Sequence, residues 1–115
     1  MALKRDEILG ANDVRHEEVD VPEWGGTVLI AAMSGKARDA WEQSLIGEKG
    51  KVNIENVRAR LVVYTAVDEQ GDRIFTDQDI ELLGRKSAAA LERCSRVAQR
   101  LNRLSQQDLE EAKGN

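Results

Sequence analysis

The sequence has little of the residues that mark several common classes of protein. Its 115 residues include one cysteine, one proline and one histidine, and aromatic residues make up 3%. The single cysteine, Cys94, excludes an internal disulfide framework and fits a reducing compartment. No apolar run approaches the roughly 20 residues that a membrane-spanning helix needs. Charges from Lys4 onward interrupt the start of the chain, so we expect no signal peptide and a cytoplasmic location.

The balance of charge limits the range of partners. Lysine and arginine number 17, aspartate and glutamate number 21, and the formal net charge is −4. A chain without a basic excess is not typical of general nucleic-acid binding. The length and the hydrophobic fraction of 41% favour one domain with a single modest core.

Sites for chemistry are also missing. The only histidine, His16, is distant in sequence from Cys94, and no zinc-ligand spacing occurs. Counted from Asp68 as a calcium loop, an arginine stands where the glycine at position six is needed. The glycine–lysine segment at residues 47–51 has the wrong spacing for a phosphate loop. We therefore predict a non-enzymatic chain without metal or cofactor.

A β-hairpin is predicted at about residues 18–32. Val19 and Val21 alternate with acidic residues, as in a strand with one buried face. The glycine pair at 25–26 supplies a tight turn, and residues 27–30 return with β-branched and apolar side chains. Trp24 lies at the bend, which makes it a candidate contact for a partner.

Helices are predicted over most of the remaining chain. The apolar spacing and the capping residues place them at 2–9, 35–44, 54–67, 76–84 and 87–104. Residues 61–67 are also rich in strand formers, so a hairpin with residues 73–75 is the alternative there. A loop is expected at 46–52, followed by an N-cap at Asn53. Predicted N-caps and core contacts are Leu3, Ile8, Leu9, Ser34, Ala37, Ala40, Trp41, Leu45, Thr76, Ile80, Leu82, Leu83, Ser87, Leu91, Cys94, Val97, Ala98, Leu101 and Leu104.

The last predicted helix carries a stripe of arginines opposite its apolar face. Such a stripe is either a solvated helix back or a docking face for an acidic partner or for nucleic acid. Residues 105–115 are polar, and we expect them to fray. The fold class that follows is mainly α with a small N-terminal β-hairpin (α+β), as a single domain at 1–104. The stripe consists of Arg93, Arg96, Arg100 and Arg103.

Two segments together resemble a known family. The valine–proline–glutamate–tryptophan–glycine turn at 19–26 is similar to a turn in tail assembly chaperones of long, non-contractile-tailed phages, those of lambdoid coliphages in particular. The aspartate-rich turn, phenylalanine and helix start at 68–77 resemble a later segment of the same proteins. The order, the spacing and the closing Leu-Asn-Arg-Leu also fit.

The resemblance implies a chaperone of virion assembly in the host cytoplasm. Its expected partners are the tape measure protein, the tail tube protein, further copies of itself and a longer form made by ribosomal frameshifting. The family has no catalytic residues and is absent from the finished virion. Two alternatives remain from the residues alone, a small nucleic-acid-binding regulator that uses the arginine stripe and an enzyme subunit with a site shared between chains. Candidate partner-binding residues are Trp24, Arg93, Arg96, Arg100 and Arg103.

Overall fold

A computed structural model of the chain describes residues 1–46, 50 and 56–104. Within these ranges, five α-helices and a three-stranded antiparallel sheet with the order β1-β2-β3 confirm the predicted α+β class. Most of the predicted loop at 46–52, the Asn53 cap and the tail at 105–115 lie outside the described residues. The elements are α1 (Arg5–Leu9), β1 (His16–Val21), β2 (Gly26–Ala31), α2 (Gly35–Ser44), α3 (Val57–Thr65), β3 (Ala66–Val67), α4 (Ile80–Gly84) and α5 (Ala88–Leu101).

The N-terminal hairpin forms where the glycine pair predicts it. β1 and β2 pair from His16 opposite Ala31 to Val21 opposite Gly26. A 3₁₀ turn at Pro22–Trp24 leads into Gly25, whose φ of +77° requires a residue without a Cβ penalty. Val21 is fully buried and Val19 is 7% exposed, so the face of β1 that carries these two valines lies against the core.

The predicted helix at 54–67 is wrong at its C-terminal end. α3 stops at Thr65, and Ala66–Val67 form β3, which pairs with Leu29 and Ile30 of β2. The backbone N–H of Ile74 donates to the carbonyl oxygen of Ala66 at 3.2 Å, so the alternative hairpin exists for these two residues. Pairing with the sheet overrides the helical spacing here because β2 offers an unpaired edge that a further helical turn would leave empty.

The core is organised around α3, which is buried on nearly every side. α5 packs against α3 and across one face of β1 and β2, and α2 and α4 pack against other sides of α3. Trp41 lies in this core, as its helical spacing predicts. The largest of the fully buried side chains are Val21, Ile30, Leu61, Val62, Val63, Thr65, Cys94 and Ser95.

α5 begins as predicted and ends three residues early. The Ser87 hydroxyl accepts a hydrogen bond from the backbone N–H of Ala90 at 3.2 Å, which confirms this N-cap. Arg103 has a φ of +54°, and the N–H of Leu104 donates to the carbonyl of Gln99 at 2.8 Å. This is the Schellman arrangement, in which a left-handed residue ends the helix and the next apolar residue folds back. Leu104 is therefore buried without being helical.

Some predicted core contacts are wrong. Ala40 is exposed because α2 buries the face that carries Trp41 and, four residues later, Leu45. Leu82 is exposed because the short α4 buries only Ile80 and Leu83. The predicted contacts of α1 also fail, since none of its residues is buried. α4 ends at Gly84, where a Cβ would meet the Asn56 side-chain oxygen at 2.4 Å. In the ranges covered, no helix has the length and apolar character to cross a bilayer.

Candidate partner-binding surface

Two of the four stripe arginines bind the hairpin. Arg93 donates through Nη2 to Oε2 of Glu23 at 2.7 Å, and its Nη1 bonds the second carboxylate oxygen. The two parallel hydrogen bonds of such a bidentate pair fix the orientation of the guanidinium relative to the carboxylate, in addition to the attraction between opposite charges. The hydrogen bond from Arg93 lowers the pKa of the Glu23 carboxyl below its usual value. Arg100 forms a single hydrogen-bonded ion pair, from Nη2 to Oε2 of Glu17 near the start of β1, so α5 is tied to β1 at one end and to the turn after β1 at the other.

Of the other two arginines of the stripe, one forms an ion pair within α5 and the other forms none among the described residues. Arg96 pairs with Glu92 one turn earlier at 3.1 Å, and Glu92 also accepts from Arg58 of α3 at 2.5 Å. The hydrogen bond from Arg58, assisted by Arg96, lowers the pKa of Glu92. Arg103 lies beyond the helix and makes no ion pair with any residue that the structure covers.

The structure places three of the five sequence-predicted residues at the hairpin. Trp24 is half-buried at the edge of the core and belongs to the same 3₁₀ turn as Glu23, which binds Arg93. Arg93 and Arg100 tie α5 to the hairpin, whereas Arg96 pairs within α5 and Arg103 lies beyond the end of this helix. Because the ties join residues 70 and 83 positions apart, no local sequence pattern could have indicated them.

Cys94 lies on the opposite, buried side of α5. Its side chain has no exposed surface, and burial raises the pKa of the thiol from 9.0 to about 11. The thiolate is the reactive form, so this cysteine is inert in the folded chain. Because the folded state holds the proton more tightly, Cys94 should reduce stability as the pH rises from 9 towards 11.

We expect native protein at pH 8 to be alkylated at Cys94 about 100-fold more slowly than urea-unfolded protein, from the difference in thiolate fraction alone. Mass spectrometry of iodoacetamide-treated samples measures both rates. A Leu82→Cys variant supplies an exposed thiol on α4 as the control, which should react at the ordinary rate without urea. Equal rates for native and unfolded Cys94 would contradict the buried placement.

A second feature is an open groove of about 690 Å³ beside the start of α2, which we call the α2 groove. Its floor is apolar and its rim is polar, the combination typical of binding sites. The less exposed apolar side chains of the lining, which we call the floor, include Ala32, Met33, Ala37, Tyr64 and Val67, whereas Val14 is 42% exposed at the rim. The rim includes Asn12, His16, Glu69, Gln70, Asp72 and Arg73.

One wall of the α2 groove is held rigid by a polar cluster. The Tyr64 hydroxyl bonds Oδ2 of Asp77 at 2.8 Å, and the Arg73 guanidinium lies over the Tyr64 ring at 4.2 Å. Arg73 Nε also donates to the carbonyl of Val63 at 3.1 Å. Burial, and then Asp77, raises the pKa of Tyr64, so the ring stays neutral at physiological pH. The aspartate-rich turn is thereby fixed against α3.

Residues 1–14 form an N-terminal arm that the domain does not cover. Every residue of it is exposed, and its hydrogen bonds join only residues within the arm across the described parts of the chain. The exposed fractions of Leu3, Ile8 and Leu9 are 67%, 55% and 67%. The prediction that these apolar residues lie in the core is therefore wrong. The polar residues Asn12 and Asp13, which separate α1 from the hairpin, were the sequence signal for an arm outside the core.

The described ranges contain no group of three histidine, cysteine, aspartate or glutamate side chains that could hold a metal ion. Two of the hairpin carboxylates, Glu17 and Glu23, are paired with arginines, and His16 is exposed at the start of β1. This surface offers charge and apolar area for binding.

Comparison with known proteins identifies the family. The model of the phage tail assembly chaperone family matches residues 5–115. A solved structure described as that of the bacteriophage HK97 tail assembly chaperone superposes with a TM-score of 0.58 at 22% sequence identity, over 84% of this chain and 94% of that chain. At this identity the likeness concerns the fold. No curated protein matches the chain significantly. Because the family model covers nearly the whole sequence, this chain belongs to the phage tail assembly chaperone family.

Proposed function

We propose that this chain binds the tape measure protein during tail assembly, keeps it soluble, helps to recruit tail tube subunits and leaves before the virion is finished. It acts in the host cytoplasm, without catalysis, cofactor, nucleic acid or membrane. Its further partners are copies of itself and a longer, frameshifted form. Family membership supports the chaperone role in general.

The observation that carries the proposal is the set of large apolar side chains left in solvent around a closed core. A helical tape measure protein presents apolar side chains that need cover until the tube encloses them, and small apolar contacts on the chaperone supply that cover. Each contact is weak, but many copies on one rod gain from effective concentration. Weak contacts also allow release. The exposed apolar residues are Met1, Leu3, Ile8, Leu9, Val14, Ile46, Ile74 and Leu82.

The arginine stripe supplies the electrostatic part of this proposal. Arg96 and Arg103 are the members of the stripe that form no ion pair with the hairpin among the described residues. We propose that they contact acidic protein surface on the tape measure protein. Nucleic acid is disfavoured because carboxylates of this chain already offset three of the four arginine charges, and the net charge is −4.

A charge-removal variant tests this contact. Arg96→Gln keeps the helix propensity and Arg103→Gly suits the left-handed φ of +54°, so the double variant should fold normally. We expect it to bind the tape measure protein about 3–10-fold more weakly, the effect of losing two exposed ion pairs. Pull-down or calorimetry with the tape measure protein measures the change.

The matched control removes two charges elsewhere. Arg85→Gln with Lys86→Gln lies at the end of α4, and the Arg85 side chain is 71% exposed, against 75% for Arg96. This control should bind within about twofold of the parent chain. If both double variants weaken binding equally, only the net charge matters. If the first double variant loses a measurable DNA affinity of the parent yet binds the tape measure protein normally, the nucleic-acid regulator is correct.

A further inference from the structure

We infer that the N-terminal arm of one copy docks its helix α1 into the α2 groove of a second copy. The inference rests on the self-association included in the proposed function, and it names the two segments that form the contact.

The arm presents an apolar cluster with no cover. Leu3 precedes the N-cap Lys4, and Ile8 is the fourth helical residue, which is the spacing of a hydrophobic staple. Leu9 follows directly, so three large side chains project from one short helix that packs on nothing. A five-residue helix is unstable alone in water, and burial of these side chains against another surface would stabilise it.

The groove of the same copy is not filled by this cluster. Asn12 and Val14 are part of the groove lining, but no residue of α1 lines it. The N–H of Gly10 donates to Asp6 at 3.0 Å and the N–H of Ala11 donates to Ile8 at 3.2 Å, which continues the last turn of α1 through these two residues. Because no residue of α1 is buried, both the arm and the groove are available to a second molecule.

The groove of a second copy offers an apolar floor, and the carboxylates on its rim that form no ion pair are opposite in charge to Lys4, whereas Arg73 on that rim is paired with Asp77. Its apolar floor and its volume of about 690 Å³ accept several side chains. Its rim carries the carboxylates of Glu69 and Asp72, neither of which forms an ion pair with a residue in the described ranges. The Lys4 ammonium is likewise unpaired within those ranges. Lys4 beside this rim places opposite charges at the edge of the apolar contact.

Arm and groove are different surfaces, so the contact is heterologous. Each copy offers an arm to one neighbour and a groove to another, and the assembly grows until it closes into a ring or continues as an open chain. Association should therefore rise steadily with concentration instead of stopping at a dimer.

Sedimentation velocity of the full chain over a concentration series tests the inference. The parent chain should show an average mass that rises with concentration. Ile8→Gln with Leu9→Gln should raise the dissociation constant by roughly 100-fold, the effect of removing two buried apolar side chains. At dilutions where the parent is monomeric, the thermal midpoints of the two should be equal, because α1 buries nothing in the single copy. The control Ile74→Gln with Leu82→Gln removes two comparably exposed apolar side chains and should associate like the parent.

A mixing experiment separates the two halves of the contact. Ala32→Arg fills the groove floor, and this variant alone should also remain monomeric. Mixed with the arm variant, it should form a one-to-one complex and nothing larger, because one intact arm and one intact groove remain. A charge exchange, Lys4→Glu with Glu69→Lys, should restore association that Lys4→Glu alone reduces.

Several results would overturn the inference. One is a parent chain that is monomeric at every accessible concentration. Another is an arm variant that associates like the parent. An arm variant that associates normally but fails to hold the tape measure protein would assign the arm to that partner instead. Solubility of the tape measure protein is a separate readout, so failure of the proposed function is distinguishable from failure of arm docking.

Discussion

Replacement of Leu61 by alanine should lower the free energy of unfolding by about 2–5 kcal/mol. Leu61 is 1% exposed in the middle of α3, the helix against which α2, α4 and α5 pack. Removal of its side chain leaves a cavity that these packed helices would have to close together. Because a domain of this size has a total stability of about 5–15 kcal/mol, the loss is a large fraction of it.

Urea denaturation followed by circular dichroism measures this loss. Leu82→Ala is the matched control, since it removes the same side chain where 60% of the residue is exposed. Its effect should stay within about 0.5 kcal/mol. Equal destabilisation by the two substitutions would mean that α3 is not the centre of the core.

Replacement of Asn102 by alanine should cost about 1–3 kcal/mol, although this residue lies at the end of a helix and near the surface. Its Oδ1 accepts from the backbone N–H of Met33 at 2.6 Å, and its Nδ2 donates to the carbonyl of Ala98 at 2.8 Å. The side chain thus joins the end of α5 to the connection between β2 and α2. Alanine would leave the partly buried N–H of Met33 without its acceptor.

The same denaturation assay measures the effect of Asn102→Ala. Asn12→Ala provides the comparison, because Asn12 is exposed and forms no hydrogen bond within the described ranges. That control should be neutral within about 0.5 kcal/mol. A neutral Asn102→Ala would show that water replaces the side chain and that α5 is not tied to β2 through it.

The features that follow from local chemistry could be predicted from the sequence. Gly25 has the positive φ that its turn demands, and Ser34 accepts from the N–H of Ala37 at 3.1 Å as a helix cap should. Ser87 does the same for α5. Each of these depends on residues within three positions of one another, so the sequence alone contains the relevant contacts.

The features that depend on distant partners could be predicted only in part or not at all. The strand formers at 61–67 left both helix and hairpin open, and Ala66–Val67 become a strand because β2 lies beside them. α5 ends in a left-handed arginine, where glycine would be the usual signal. Glu23 and Arg93 meet across 70 positions. The apolar spacing of α1 was visible, but the fact that the domain provides no site for it depends on the complete fold.

The central claim is that this chain keeps a tape measure protein in solution through many weak contacts. The most direct measurement is co-expression of the two proteins, with the tape measure protein expressed alone as the reference. Soluble tape measure protein and the ratio of the two chains after purification are then quantified over a range of salt concentrations. The account predicts that the tape measure protein becomes soluble only in the presence of this chain, with several copies bound per tape measure chain. A tape measure protein that stays insoluble and does not co-purify at any salt concentration would contradict it.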